Sequence, residues 1–422
     1  MILNTKKVHY AWIILIVTFL SVIVAAVTNT MSGVMMIPFE EEFGWSRASI
    51  SGAFAICITL VGFSGPFVAG LFQKFTVRKV LLIGMGTLLL ALLLTTFMTQ
   101  IWHLYIIWGV IIGLSAGAFL TVLNTYVATT WFEEKRGLAL GLLTSSSAAG
   151  QLVFLPLLAY VVGNFSWRSA ILTIFGFGLF IYLCIWIFMK NDPADVGVLP
   201  LGAKESNKLN INRVNPIKAA FDGLKLGVKS KVFWLLAGSF FICGFSTSGL
   251  IGTHFISLCI GYGYKEVTAA SLLAFMGIFN IIGTTLSGYF SDRLDNRWLL
   301  FWYYGLRGLS LLVLPFALST NSVFYLATFA IFYGLDWIAT VPPTIKLATD
   351  HFGKDKVGVI YGWIYSAHQL GAGAAAYGGG LVYSWFNAYQ SIFFAAGIFC
   401  IIATLFVLKI KRKTVIDQNL SA

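Results

Sequence analysis

The sequence predicts an all-α membrane protein of twelve transmembrane helices, arranged as two six-helix halves related by a parallel repeat. Composition is the first reason: 58% of the 422 residues are hydrophobic and only 10% are charged, whereas soluble domains carry about 25% charged residues. Patterning is the second, because the apolar residues gather into twelve stretches long enough to cross a bilayer, for which about 20 residues suffice. The third is internal repetition. Gly70-Leu-Phe-Gln-Lys-Phe-Thr-Val-Arg78-Lys79 recurs as Gly288-Tyr-Phe-Ser-Asp292-Arg293-Leu-Asp-Asn-Arg297 at an offset of 218 residues. Ala128-Thr-Thr-Trp-Phe132-Glu-Glu-Lys-Arg136-Gly137 recurs as Ala348-Thr-Asp-His-Phe352-Gly-Lys-Asp-Lys356-Val-Gly358 at an offset of 220.

The first apolar stretch, 10–37, has no small-residue cleavage site before Pro38 and reads as a span, not a removed signal segment. Stretches at 48–72, 79–99, 104–130, 137–162 and 167–189 complete a first half over residues 1–189. A polar, turn-rich linker follows at 190–231, with Asn191-Asp-Pro-Ala-Asp195 near its start. Its last part, 216–231, is basic and carries apolar Ile217, Phe221, Leu224 and Leu226. That pattern suits a short interfacial helix or a plain solvated connection. The second half, 232–422, holds stretches at 232–258, 267–290, 298–318, 322–345, 357–384 and 389–409. The remaining loops are short, so consecutive helices must be antiparallel neighbours.

Glycines recur within the spans, at Gly109, Gly113 and Gly117 and at Gly371, Gly373, Gly378, Gly379 and Gly380. Small residues let membrane helices approach closely, either for sliding or for ordinary packing. Pro342-Pro343 removes two backbone donors and predicts a kink or a break in the tenth span.

Twenty-four of the 28 Lys and Arg residues fall in loops on the same side as the termini. Arg47, Arg168 and Lys265 fall on the other side and Arg307 within a span. The positive-inside rule then predicts cytoplasmic termini in a cell membrane. It also accounts for the net charge of +12 without nucleic acid, since no loop joins a dense basic run to aromatic residues. No Gly-x-x-x-x-Gly-Lys-Ser/Thr occurs, so ATP-driven pumping by this chain is excluded. The five cysteines are scattered through the spans and read as small buried side chains. No Cys/His cluster has ligand spacing, so neither metal nor cofactor is expected.

Two parallel halves in a membrane imply a substrate held between them and moved by rocking one against the other. Charges inside spans are costly and informative. Arg307, midway along the ninth span, and Asp336, midway along the tenth, lie at similar depth on adjacent antiparallel helices. They read either as a structural ion pair or as a switch in which protonated Asp336 frees Arg307 for an anion. His254 and His368 are the intramembrane histidines, and imidazole handles protons near neutral pH. Gln369, Asn124, Tyr126, Gln151 and Ser145-Ser-Ser147 are further polar candidates, and Lys346 supplies either a charge or a snorkelling side chain. One Arg, one Asp and two His make too thin an inventory for a membrane enzyme.

The repeated loops resemble the signature of the major facilitator superfamily, Gly-x-x-x-Asp-Arg-x-Gly-Arg-Lys/Arg. The second copy matches at Gly288, Asp292, Arg293 and Arg297; the first keeps Arg78 and Lys79 but has Lys74 for the acid and Val77 for the glycine. The resemblance implies a cytoplasmic gate built from Arg78, Asp292, Arg293, Arg297 and Arg136. A narrower similarity is to monocarboxylate transporters and the bacterial oxalate–formate exchangers. Trp131-Phe132-Glu-Glu-Lys135-Arg136-Gly137-Leu138-Ala139-Leu-Gly141 resembles that branch's fifth-helix signature, and Tyr10-Ala-Trp12 its first-helix opening. The similarity implies substrate contacts at Asn124, Tyr126 and His254, with His368 and Gln369 facing the cavity of this fold. The arginine that many members carry in the eighth helix is Thr284 here. The expected activity is secondary transport of a small organic anion, a monocarboxylate, with proton coupling through Asp336 or His254 or by exchange, by a monomer. The alternative is a carrier or exporter of another small polar or neutral metabolite.

Overall fold

The computed structural model describes residues 9–120, 122–203, 216–320 and 322–411. The basic residues Lys6, Lys7, Lys204, Lys208, Arg213, Arg412 and Lys413 lie outside them.

Hydrophobic length makes the helices, and local chemistry starts and stops them. The first span, α1, runs Tyr10–Thr30 and continues as Ser32–Phe43 until Gly44 turns left-handed at φ 66°. The second, α2 (Arg47–Lys74), is capped by the Ser46 hydroxyl, which accepts from the Ser49 N–H. Next come α3 (Val77–Thr95), α4 (Ile101–Trp131), α5 (Arg136–Asn164) and α6 (Trp167–Phe188). The second half repeats the plan with α7 (Lys231–Gly261), α8 (Glu266–Ser291), α9 (Asn296–Ser319), α10 (Val323–Phe352), α11 (Lys354–Phe386) and α12 (Gln390–Leu408). Among the described residues, eleven of these are long and apolar enough to cross a membrane by themselves. The twelfth, α11, has the length at 33 residues but is diluted by glycines and by His368-Gln369. No strand forms among the described residues; a single bridge joins Phe132 to Leu201.

The halves meet mainly along two helix pairs, α2 with α11 and α5 with α8, and α1 also touches α7 where Gly33 faces the Gly252 carbonyl. Within the halves, α4 lies on α2, α7 on α11, and α9 on α12. Glycine sets the approach distance in several of these contacts. A Cβ at Gly113 of α4 would stand 2.9 Å from the Cys57 carbonyl of α2, and one at Gly371 would collide with the Phe241 carbonyl of α7.

Two open expectations are narrowed. The tenth span is broken and not merely kinked: a first helix stops at Asp336 and a second starts at Val341, with Pro342 in its first turn. A proline there forfeits no hydrogen bond, so it starts the helix and does not bend one. The linker forms a helix at Pro216–Gly227 that packs against α2 and α11. Trp363 Nε1 donates to the Ala220 carbonyl at 2.8 Å, and the Phe221 ring lies 6.3 Å from that of Trp363.

The two aromatic motifs singled out from sequence touch each other. Tyr10 packs on Trp131 at 5.9 Å between ring centroids, and Trp12 meets Phe132 edge-on at 5.4 Å. These contacts tie the start of α1 to the α4–α5 corner.

Candidate functional site

A cavity of about 220 Å³ lies between the halves, walled by α1, α2, α4 and α5 on one side and by α7, α8, α10 and α11 on the other. Its polar lining includes Asn29, Gln151, Thr247, Trp337, His368 and Gln369. Among the described residues no Asp, Glu, Lys or Arg lines it. The helices around it are irregular. A π-helical stretch at Phe245–Ile251 puts Thr247 and Ser248 on the wall, a device common at functional sites. The break in α10 contributes Trp337, Ile338 and Thr340.

That break carries backbone groups no helix satisfies, and neighbouring helices satisfy them. Arg307 of α9 donates through Nη2 to the Asp336 carbonyl at 2.6 Å and the Trp337 carbonyl at 3.2 Å. Asn280 of α8 accepts from the Ile338 N–H at 3.2 Å, and Ser287 donates to the Ala339 carbonyl at 2.5 Å.

Arg307 is 1% exposed and its Nε meets Asp336 Oδ2 at 2.5 Å. The pair stands one layer behind the cavity wall. Its link to the cavity is Cys243, which lines the cavity, accepts from Arg307 Nη1 at 2.9 Å and sits 3.3 Å from the Thr340 hydroxyl. Reading every cysteine as apolar filler therefore missed one: Cys243 is a polar contact between the ion pair and the cavity. The sequence signal was weak, since nothing in Ile-Cys-Gly marks a thiol facing a guanidinium.

The other candidates separate. His368 lines the cavity, stacked on Tyr365 at 5.7 Å, with Nδ1 2.9 Å from Gln369 Oε1. Gln369 crosses between the halves, donating to the Ile58 carbonyl of α2 at 3.4 Å. His254 does not line the cavity; it is fully buried, with Nε2 2.7 Å from the Ala376 carbonyl and its ring 5.2 Å from Tyr389. Asn124 and Tyr126 also stay out of the lining: Asn124 donates to the Leu143 carbonyl at 3.2 Å, and the Tyr126 hydroxyl to the Asn191 carbonyl at 3.2 Å. Both sit in the last turns of α4, below the cavity. Gln151 and Ser147 are on the wall. Thr284, where the arginine is missing, donates to Asn280 Oδ1 at 3.1 Å.

The two ends of the molecule are built differently. At the face opposite the termini, Arg47 of α2 binds Glu40 at 2.6 Å, stacks on Tyr383 at 3.6 Å and donates to the Tyr389 hydroxyl at 3.1 Å. Ala48 N–H donates to the Ser384 hydroxyl at 3.3 Å beside it. These contacts join the two halves. At the face bearing the termini, the expected gate residues pair within their own halves. Asp292 meets Lys346 at 3.3 Å, Arg297 meets Asp295 at 2.6 Å, and Arg293 lies over Tyr289 at 3.6 Å. Arg136 donates to the Thr129 carbonyl at 3.1 Å, and the Arg78 guanidinium to the Trp186 carbonyl.

Two helical bundles clasping a cavity with polar side chains in its wall, joined across one face, define a membrane carrier. The chain belongs to the Major Facilitator Superfamily, whose family profile matches residues 18–376. It is a transporter and not an enzyme, as are the relatives it resembles. One is an uncharacterised MFS-type transporter, YcxA of Bacillus subtilis, 24% identical with 90% of each chain covered. Another is monocarboxylate transporter 13 of Rattus norvegicus, 24% identical over 92% of this chain and 86% of that one. Human monocarboxylate transporter 12 is 23% identical over 86% and 72%. Among solved structures, a mutant of the nucleoside transporter NupG superposes with a TM-score of 0.76 at 10% identity, covering 96% of this chain and all of that one. A bacterial homologue of the human lysosomal transporter Spinster, inward-facing and unoccupied, gives 0.74 at 13%, covering 98% and 100%. These two share the fold.

Proposed function

We propose that this chain is a secondary carrier of a small organic anion, a monocarboxylate, working by alternating access with proton coupling or by exchange. The observation that carries the reading is the cavity between the halves, with Asn29, Gln151, His368 and Gln369 in its lining, in a chain whose relatives include proteins named as monocarboxylate transporters. The working bodies are residues 1–189 and 232–422, joined by the 190–231 loop, and the unit is a monomer. The basic-residue asymmetry supports cytoplasmic termini in a cell membrane. With that orientation the Arg47 cluster seals the outside, and Arg78, Arg136, Asp292, Arg293 and Arg297 stand at a cytoplasmic gate that is apart. His368 and Gln369 are the substrate-side groups, while Arg307 and Asp336 act on the cavity through Cys243 and the break in α10.

A second reading, a carrier of a neutral polar metabolite, is favoured by the uncharged lining. Uptake of a radiolabelled monocarboxylate panel into proteoliposomes, with and without an inward proton gradient, separates the two. Gradient-driven accumulation supports the anion carrier, uptake only against internal anion marks an exchanger, and no monocarboxylate uptake by folded protein leaves the neutral reading.

A further inference from the structure

We propose that the linker helix Pro216–Gly227, together with Lys229 and Lys231, is a binding surface for anionic phospholipid of the cytoplasmic leaflet, and that this lipid seats the helix across the seam between the two halves. The surface lies apart from the cavity, so the proposal stands whatever small molecule is carried.

One face of the helix is docked. Ala220 is buried, and Trp363 of α11 donates from Nε1 to its carbonyl at 2.8 Å. A Cβ at Gly223 would collide with the Val359 side chain. The Trp363 ring has two aromatic neighbours, Phe221 of the linker at 6.3 Å and Phe63 of α2 at 6.4 Å between centroids. One indole therefore joins the linker to a helix of each half.

Depth and side both point to the lipid interface. Val359 and Trp363 lie in the second and third turns of α11, about 7–14 Å along it from Lys354, so the linker runs beside the span and not beneath it. Trp363 shares a stripe of α11 with exposed Leu370 and Tyr377, whereas Tyr365, His368 and Gln369 face the cavity. Phe63 shares a stripe of α2 with exposed Phe67 and Leu71. The linker helix is thus on the outer flank of the seam, where lipid is the neighbour. Its far end is held at the same level. Trp234, 59% exposed at the start of α7, donates from Nε1 to the Val228 carbonyl at 2.9 Å, and tryptophans at the ends of spans sit among the headgroups.

The undocked face is apolar and basic together. Phe221, 48% exposed, Leu226 and Val228 stand beside exposed Lys225, Lys229 and Lys231, and Asp222 is the one acid between 216 and 231. Water covers such a face poorly. A leaflet matches it on both counts, since the apolar side chains enter the acyl boundary while the lysine ammoniums reach the phosphates. Charge selects anionic lipid, because each lysine at an acidic surface contributes about fivefold in binding. Neutral lipid satisfies only the apolar residues. The same helix touches α2 and α11, so a lipid that holds it down acts on both halves.

The test uses the full chain in nanodiscs of phosphatidylcholine, with or without phosphatidylglycerol. Bimane attached at Leu226→Cys should be quenched more by a nitroxide near the lipid headgroup than by iodide in the buffer, against a wild-type blank for the native cysteines. Amide exchange over 216–227 should slow at least about tenfold when phosphatidylglycerol is present, and most of that slowing should vanish at high salt. The variant Lys225→Gln/Lys229→Gln/Lys231→Gln changes only exposed side chains and should exchange at the phosphatidylcholine rate in both bilayers. A label quenched mainly from the buffer leaves the face to water or to a soluble partner and overturns the proposal. So does slowing that persists in the folded triple variant, or wild-type exchange that is the same in both bilayers.

Discussion

Two buried arginines show how one kind of contact serves two purposes. Arg307 finds all its partners, Asp336, Cys243 and the α10 carbonyls, within the second half. Arg47 has Glu40 in its own half but Tyr383 and Tyr389 in the other. Arg47 also occupies the first position of α2, where the helix macrodipole opposes a positive charge. Its place is explained by its partners across the seam, not by its helix. A pair inside one rigid body contributes in every conformation of the carrier, while a pair between bodies contributes only while they are closed. Arg307 should therefore govern stability, and Arg47 the balance between conformations.

The largest effect is expected at the first. Removing one member of a buried ion pair strands the other, at a cost of about 3–5 kcal/mol. Arg307→Ala or Asp336→Asn should lower the thermal unfolding midpoint in detergent sharply, and the charge-free double variant Arg307→Leu/Asp336→Leu should recover most of the loss. Single variants as stable as the wild type would show that the pair is not holding the α10 break, and the contrast with Arg47 would collapse.

A smaller and different effect is expected at Arg47→Ala. Truncating a buried, hydrogen-bonded charge across an interface costs about 2–5 kcal/mol. Here that cost falls on one conformation only. Even about 2 kcal/mol changes the ratio of two conformations roughly thirtyfold. Spin labels at Ser49→Cys and Trp385→Cys, on opposite sides of the seal, should report a longer distance becoming dominant, with little change in the unfolding midpoint. A large drop in the midpoint with no change of distance would make Arg47 another Arg307.

The sequence made the architecture readable because twelve apolar stretches have one solution in a bilayer, and because the repeat sets their grouping. Depth is readable too: helix lengths alone put Arg307 and Asp336 at similar depth, and the structure pairs them. What hydropathy does not give is the face a side chain takes. The sequence favours His254 over His368 for substrate and proton, yet His254 is sealed under Tyr389 and His368 opens on the cavity. Rotation of a helix is set by its neighbours, here by α7 lying against α11 at Gly244 and Gly371. The place of the stop at Asp336 is set in the same way. The Asp336 and Trp337 carbonyls are satisfied by Arg307 from α9 and the Ile338 N–H by Asn280 from α8, so the break is stabilised by partners distant in sequence, one turn before the prolines that mark it in the sequence.

At the lower end of the comparison stand ion pairs that are exposed and confined to one half. Lys346 and Asp292 are 3.3 Å apart with side chains 46% and 72% exposed, and such pairs contribute about 0–1 kcal/mol, screened by salt. Glu42 and Arg168, 2.6 Å apart at the opposite face, are of the same kind. The hydrogen bond from Arg168 holds the Glu42 carboxyl below its ordinary range. A depressed carboxylate contributes its stability above the unfolded-state value and loses it as pH falls through the folded one. Glu42→Gln should therefore flatten a shallow acid-side decline in the unfolding midpoint below about pH 4, and should leave neutral-pH stability within about 0.5 kcal/mol. Lys346→Ala should be equally mild at low salt and silent at high salt. If Lys346→Ala instead lengthened or shortened the label distance across the seal, a contact lying within one half would be steering the movement of both. The division between pairs that stabilise a body and pairs that bias its motion would then fail where the structure draws it most clearly.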